Sequence, residues 1–245
     1  MFGWRARIGI LVPIINVVAE PEMYRMAPDG VTIHASRIYL PKEGLDFSQE
    51  GVESNWKYLT QSVEKAAESF LDTVIDVIAY TCTSGTFYGG PNFNKELVKK
   101  IKKISGIPTT TTSTALLEAI KLLKIKKIAV ATPYVEKTNQ KLKIFLEGNG
   151  VEVINIKGLG YTTGESMVNA PQNIVYHLAK GVDKPEANSV FIACTGFPTI
   201  DIIEKLEADL GKPVITANQV TFWNALRIAN IHDSIDGYGV LLKNH

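Results

Sequence analysis

The chain has 245 residues, 45% of them hydrophobic, with a formal net charge of +1 and two cysteines. That is enough apolar material for two ordinary domains or one large one, and too little net charge for a global field that would attract nucleic acid or acidic membrane. The apolar run after Arg5 and Arg7 ends at Pro13, too short for a signal peptide or a membrane span, so a cytoplasmic setting with free thiols is expected.

In chain order, apolar runs predict strands at residues 8–12, 31–40, 74–80, 109–112, 127–131, 151–156, 189–193, 213–216 and 239–242. Helical spacing fills most of the gaps. Leu59, Val63, Ala66, Ala67 and Phe70 share one face of a helix over 55–71, and Leu142, Phe145 and Leu146 mark another over 135–146. Phe93, Leu97, Ile101 and Ile104, then Ile203, Leu206 and Leu210, repeat the pattern. Strand alternating with helix along the whole chain predicts an α/β fold with parallel strands and helices on both faces.

The landmarks recur in the same order. Arg7-Ile8-Gly9-Ile10-Leu11-Val12-Pro13 parallels Lys127-Ile128-Ala129-Val130-Ala131-Thr132-Pro133. Tyr80-Thr81-Cys82-Thr83-Ser84-Gly85 parallels Ile192-Ala193-Cys194-Thr195-Gly196, and Gly106-Ile107-Pro108-Thr109 parallels Gly211-Lys212-Pro213-Val214. Offsets that drift slowly point to a duplication with unequal loops, since loops absorb insertions that cores do not. The copies span about residues 6–113 and 127–218. They divide the chain into domains 1–113 and 114–218, with 219–245 available to cross back onto the first.

Both cysteines therefore fall at the C-terminal ends of strands, where open α/β sheets bind ligands. With two domains facing each other, these ends converge on one cleft walled by Asn16, Cys82, Thr83, Ser84, Tyr134, Cys194, Thr195 and Gly196. A thiol on either side of a substrate suits removal of a proton from one face and delivery to the other, and a thiolate is also a strong nucleophile. The hydroxyls of Thr83, Ser84 and Tyr134 suit a carboxylate or an enediolate. Each residue also has a structural reading: a free cysteine is often a small buried hydrophobe, Thr83 and Thr195 suit helix caps, and Asn16 suits a turn. Matched placement of the cysteines favours chemistry over packing.

Other constellations give less. His34, His177, His232 and His245 show no ligand spacing, so no metal site is expected. Residues 158–164 have a glycine one place late for a dinucleotide loop and read as an active-site loop of the second domain. Glu20, Glu22 and Glu165 are candidates for acid chemistry, but they stand alone near helix starts, where carboxylates are more often dipole partners. The lysine groups at 99–103 and 124–127 read as solvated helix ends.

At these residues the chain resembles the aspartate/glutamate racemase superfamily, in its maleate cis–trans isomerase and arylmalonate decarboxylase branch. Val12-Pro13, Asn16 and Glu20-Pro21-Glu22-Met23 are similar to the isomerase N-terminal signature, with Ile14-Ile15 where two serines are usual. Thr83-Ser84, Phe87-Tyr88, Asn94, Ser113-Thr114-Ala115, Tyr134, Asn139, Phe222-Trp223 and Gly237-Tyr238-Gly239 are similar to the decarboxylase pattern.

The resemblance implies two pseudo-symmetric, flavodoxin-like domains with a cofactor-free active site between them. It implies that Cys82 is a nucleophile and Cys194 a proton donor, with Asn16 and Tyr134 on the substrate. Decarboxylases have glycine at the position of Cys82. The loop that carries a further isomerase asparagine here reads Tyr161-Thr162-Thr163-Gly164, and Thr163 is the binding candidate in it. The expected function is a two-cysteine isomerase, of maleate isomerase or racemase type, acting on a small carboxylate or dicarboxylate. An arylmalonate-type decarboxylase using Cys194 is the alternative, and a non-catalytic ligand-binding protein a third reading. A homo-oligomer is compatible with the sequence.

Overall fold

The computed structural model of the chain describes residues 2–39 and 45–245, so the predicted strand residue Leu40 lies outside the described residues. The first half runs β1 (Ala6–Pro13), α1 (Ala19–Met26), β2 (Val31–Ile38), α2 (Val52–Glu68), β3 (Val77–Tyr80), α3 (Thr83–Phe87), α4 (Pro91–Ser105), β4 (Thr109–Thr111) and α5 (Thr112–Leu122). The second runs β5 (Lys127–Thr132), α6 (Glu136–Gly148), β6 (Glu152–Gly158), α7 (Gly164–Val168), α8 (Gln172–Val182), β7 (Ser189–Ile192), a 3-10 turn (Ile200–Ile202), α9 (Ile203–Leu210), β8 (Val214–Thr216), α10 (Ala217–Ile228) and α11 (Val240–Asn244).

Two four-stranded sheets result, ordered β2-β1-β3-β4 and β6-β5-β7-β8, and every pairing in them is parallel. The same order in both is the duplication read from the sequence. It extends to single bonds: Thr81 N–H donates to Leu11 O (2.9 Å) and Ala193 N–H to Ala131 O (2.9 Å), each just past the end of its strand. The central strands β3 and β7 are buried at every residue, as continuous apolar runs covered on both faces should be.

Helices cover these sheets because their punctuation agrees with their periodicity. α4 begins at Pro91 and ends at Gly106, whose φ of +73° suits a left-handed cap. α10 opens with a capping box between Thr216 and Gln219. It packs on α1 and α5 and touches β3 and β4 of the first sheet as well as β8 of the second. Thr110 Oγ1 donates to Asn224 Oδ1 (2.6 Å) and Thr221 Oγ1 to Thr112 Oγ1 (3.0 Å) across that junction. One apolar cluster runs from Ile8 and Ile10 through Leu116 to Val130 and Phe191, and a smaller one lies beneath α2 and α4.

Two sequence expectations change. The strand expected at 239–242 is the helix α11. Gly239 has φ +82°, Glu207 Oε2 accepts the Val240 N–H (2.9 Å), and adjacent Leu241 and Leu242 are both buried. A four-residue apolar run carries no decisive period, and a tertiary contact from α9 settles it. β3 begins at Val77 rather than 74, leaving Val74 72% exposed. Among the described residues, no helix is long and apolar enough to cross a membrane.

Candidate active site

β3 and β7 deliver the two cysteines to one pocket from opposite halves of the molecule. Its walls are Pro13, Ile15 and Asn16 after β1; Leu45, Phe47 and Leu59; Cys82, Thr83 and Ser84 after β3; Tyr134 after β5; Gly164, Met167 and Val168 of α7; and Cys194, Thr195 and Gly196 after β7. No charged side chain is among these residues. The pocket offers hydroxyls, thiols and amides against an apolar wall.

Cys82 has an ordinary extended backbone, φ −150°, and caps the short helix α3. Cys194 differs: its φ is +88°, a left-handed conformation uncommon for a residue with a side chain. Such strain costs on the order of 1–3 kcal/mol and persists only where surrounding contacts impose it. Those contacts are present. Thr195 Oγ1 donates to Thr81 O (3.0 Å) and accepts from Asn16 Nδ2 (3.0 Å), while Asn218 Nδ2 donates to Thr195 O (3.0 Å).

Glu22 completes the brace. It sits in α1, yet its buried carboxylate accepts the N–H groups of Thr199 and Ile200 at the head of the 3-10 turn and the Asn218 amide (2.7 Å). Burial pushes its pKa up to about 7, against the pull of those donors. The sequence reading of Glu22 as a dipole partner missed this, because its partners lie far away along the chain. Glu20 pairs instead with Arg37, and Glu165 lies in the first turn of α7.

Both thiols are protonated at neutral pH. Burial pushes Cys194 up to about 12, opposed by the Gly196 N–H, which reaches its sulfur (3.4 Å), and by the Tyr134 hydroxyl. Burial also raises Cys82, opposed by the Gly85 N–H, Tyr80 and Ser84. Ionised Cys82 raises Cys194 further, so the pair favours one thiolate with one thiol over two anions. Tyr134 is buried and held well above its ordinary range, hence a phenol that donates, with both sulfurs and Thr83 among its neighbours.

The remaining polar atoms divide into tied and free. Asn16 Oδ1 accepts from the Val18 and Ala19 N–H groups (3.0 Å each) and its Nδ2 donates to Thr195, so Asn16 and Thr195 lie at the pocket wall with their side chains already engaged. Thr83 Oγ1 is buried without an aligned partner. A hydroxyl left this way beside a pocket is available to a ligand oxygen. Thr163 is not on the wall: its Oγ1 accepts from Ser166 N–H (3.2 Å) as the cap of α7, and Gly164 lines the pocket in its place. Leu45, Phe47, Leu59, Met167 and Val168 carry no sequence signal of chemistry, being ordinary apolar residues.

Comparison with known proteins bears on this arrangement. The chain is 27% identical over 219 residues, 89% of its length and 90% of the relative's, to an arylmalonate decarboxylase of Bordetella bronchiseptica. It is 24% identical to a maleate isomerase of Geobacillus stearothermophilus, over 97% of each chain. Its fold matches, with a TM-score of 0.86 at 22% identity over 98% of this chain and 99% of the other, a cysteine-to-serine mutant of Nocardia farcinica maleate cis-trans isomerase bearing a covalently bound succinylcysteine intermediate. The architecture is thus two flavodoxin-like α/β domains, and the relatives are enzymes. With a family model for arylmalonate decarboxylase matching residues 8–242, the chain belongs to that family, in the branch that also holds the maleate isomerases.

Proposed function

We propose that the chain is a cofactor-independent isomerase of a small carboxylate or dicarboxylate, with Cys82 as nucleophile and Cys194 as proton donor. Maleate-type isomerisation comes first and racemisation close behind. The observation that carries this is the convergence of two thiols, both backed by hydroxyl donors, on one pocket.

In the maleate-type reaction Cys82 gives up its thiol proton to solvent and the resulting thiolate adds to the alkene: an S–C bond forms and the π electrons move toward the adjacent carboxylate as an enediolate. Thr83, Ser84 and Tyr134 are placed to donate to that oxyanion, the interaction that grows most toward the transition state. Cys194 gives its proton to the carbanion, producing a succinyl thioether free to rotate about its central bond. Return of the proton to Cys194 and departure of the Cys82 thiolate restore the alkene as the trans isomer. The intermediate carried by the Nocardia farcinica enzyme is of this kind and supports the reading. In a racemisation the same thiols would take and give an α-proton on opposite faces.

A second reading is favoured by one observation: the pocket lining includes the apolar side chains Ile15, Leu45, Phe47, Leu59, Met167 and Val168, and among the described residues that line it there is no cation to face a second carboxylate. Such a wall fits an arylmalonate, which would lose carbon dioxide to give an enediolate that Cys194 protonates. Incubating the purified protein with maleate and with phenylmalonate in deuterated water, followed by proton NMR, separates the two. Fumarate formation is expected; phenylmalonate decarboxylation without action on maleate would promote the second reading.

A further inference from the structure

Tyr80 is the last residue of β3, two positions before Cys82, and its side chain is wholly buried in the cluster beneath α2 and α4. Its hydroxyl has no aligned hydrogen-bond partner. A buried phenol oxygen without a well-aligned acceptor is costly, and native proteins rarely keep one without a use. The oxygen is not far from chemistry. A methyl group placed on Gly85 would fall 2.4 Å from the Tyr80 oxygen and 2.9 Å from the Cys82 sulfur, so phenol and thiol crowd the same point. Only glycine at that position leaves them room to meet.

We infer that Tyr80 is a positioning residue for Cys82: its phenol O–H turns onto the sulfur when the sulfur becomes a thiolate, and holds the nucleophile in place. Hydrogen bonds at catalytic groups commonly stay long or bent until the charge they serve appears. Phenol and thiol already shift each other's ionisation, and burial keeps Tyr80 protonated, so it enters as a donor. The pairing gives each thiol one phenol, Tyr80 for Cys82 and Tyr134 for Cys194, drawn from positions that the duplication does not relate. Ile192 stands where Tyr80 would be in the second half, and Ile14 where Tyr134 would be in the first. The inference rests on the proposed role of Cys82 as nucleophile, but its test needs no substrate.

The other titratable groups that interact with Cys82 are Cys194 and Tyr134. The measurement therefore uses Cys194→Ser protein, in which iodoacetamide reads Cys82 alone, across pH 6–10. Adding Tyr80→Phe is expected to slow alkylation at neutral pH roughly tenfold and move the midpoint up by about one pH unit, the usual effect of losing a donor to a charged group. The thermal midpoint should stay level or rise, since the hydroxyl removed has no aligned hydrogen bond in the folded thiol form. In Cys82→Ser protein the same change should leave the Cys194 profile untouched. Superimposable Cys82 profiles with and without Tyr80→Phe would overturn the inference. If Tyr80→Phe does not fold, Gly85→Ala, which drives a methyl between oxygen and sulfur, must give the same slowing; an unchanged rate there would overturn it equally. Failure of maleate turnover would count against the proposed function and leave these profiles as they are.

Discussion

The two cysteine segments occupy equivalent places in a duplicated scaffold, yet they are held in different ways. Cys82 has an unstrained backbone and leads straight into α3, so local helix geometry places it. Cys194 has φ +88° and leads into a bend and a 3-10 turn, and its loop is fixed by Asn16, Thr81 and Glu22 from the other half of the chain together with Asn218. One thiol is positioned by its own sequence and the other by the junction between halves. A duplication can therefore keep its sheet order while dividing the chemistry unequally, because loops after strands are free to change when cores are not.

The strongest way to break the comparison is to remove each thiol. Cys82→Ala and Cys194→Ala should each lower turnover by about 10²- to 10⁴-fold, the range for losing a positioned acid, base or nucleophile, with unfolding curves near wild type. Near-normal activity in Cys82→Ala would mean that only the strained cysteine works, and the one-thiol decarboxylase would gain. Next in size is Tyr134→Phe, which takes a donor from the pocket and from Cys194. A fall in kcat of about 10²-fold is expected with the fold intact; unchanged kinetics would return Tyr134 to packing.

Glu22→Gln sharpens the claim that Cys194 is held from afar. Gln keeps the shape but offers an N–H₂ where the Asn218 amide already donates, so the loop loosens. A fall in kcat of roughly tenfold with little change in KM is expected, together with slower alkylation of Cys194 and an unchanged rate at Cys82. Stability gives an independent reading. The folded protein keeps the Glu22 proton up to about pH 7, whereas the unfolded chain releases it near 4.5. Glu22 therefore subtracts stability as pH rises between those values, by up to about 3 kcal/mol, and adds no slope below or above them. Urea unfolding of wild type minus Glu22→Gln should show that slope; a flat difference would mean that the carboxylate is ionised throughout. The smallest effect belongs to Thr163→Ala. Its hydroxyl caps α7 outside the pocket, so kinetics should stay within about twofold while stability drops by about 1 kcal/mol.

The same contrast explains how much was legible beforehand. β1, β5, β7 and the cysteine placements follow from apolar runs and repeated order, since those signals are local and the sheet only has to accept them. Cys82, Thr83, Ser84 and Tyr134 follow equally, as residues two to four positions beyond strand ends. The left-handed backbone at Cys194 was not readable, because no glycine marks it and the contacts that impose it come from residues such as Glu22 and Thr81. Tyr80 read only as the last apolar residue of a strand, for nothing in its sequence position reveals an unpartnered hydroxyl. Thr163 caps α7 and is not among the residues lining the pocket, and a threonine before a glycine serves equally as a cap and as a ligand.

The central claim is that two thiols share one substrate in different roles, and trapping tests it most directly. Cys194→Ser protein incubated with maleate, then digested and mapped by mass spectrometry, should carry a succinyl thioether on Cys82, while Cys82→Ser protein should carry none on Cys194. No adduct in either variant, or one on Cys194 alone, would contradict the assignment of Cys82 as nucleophile.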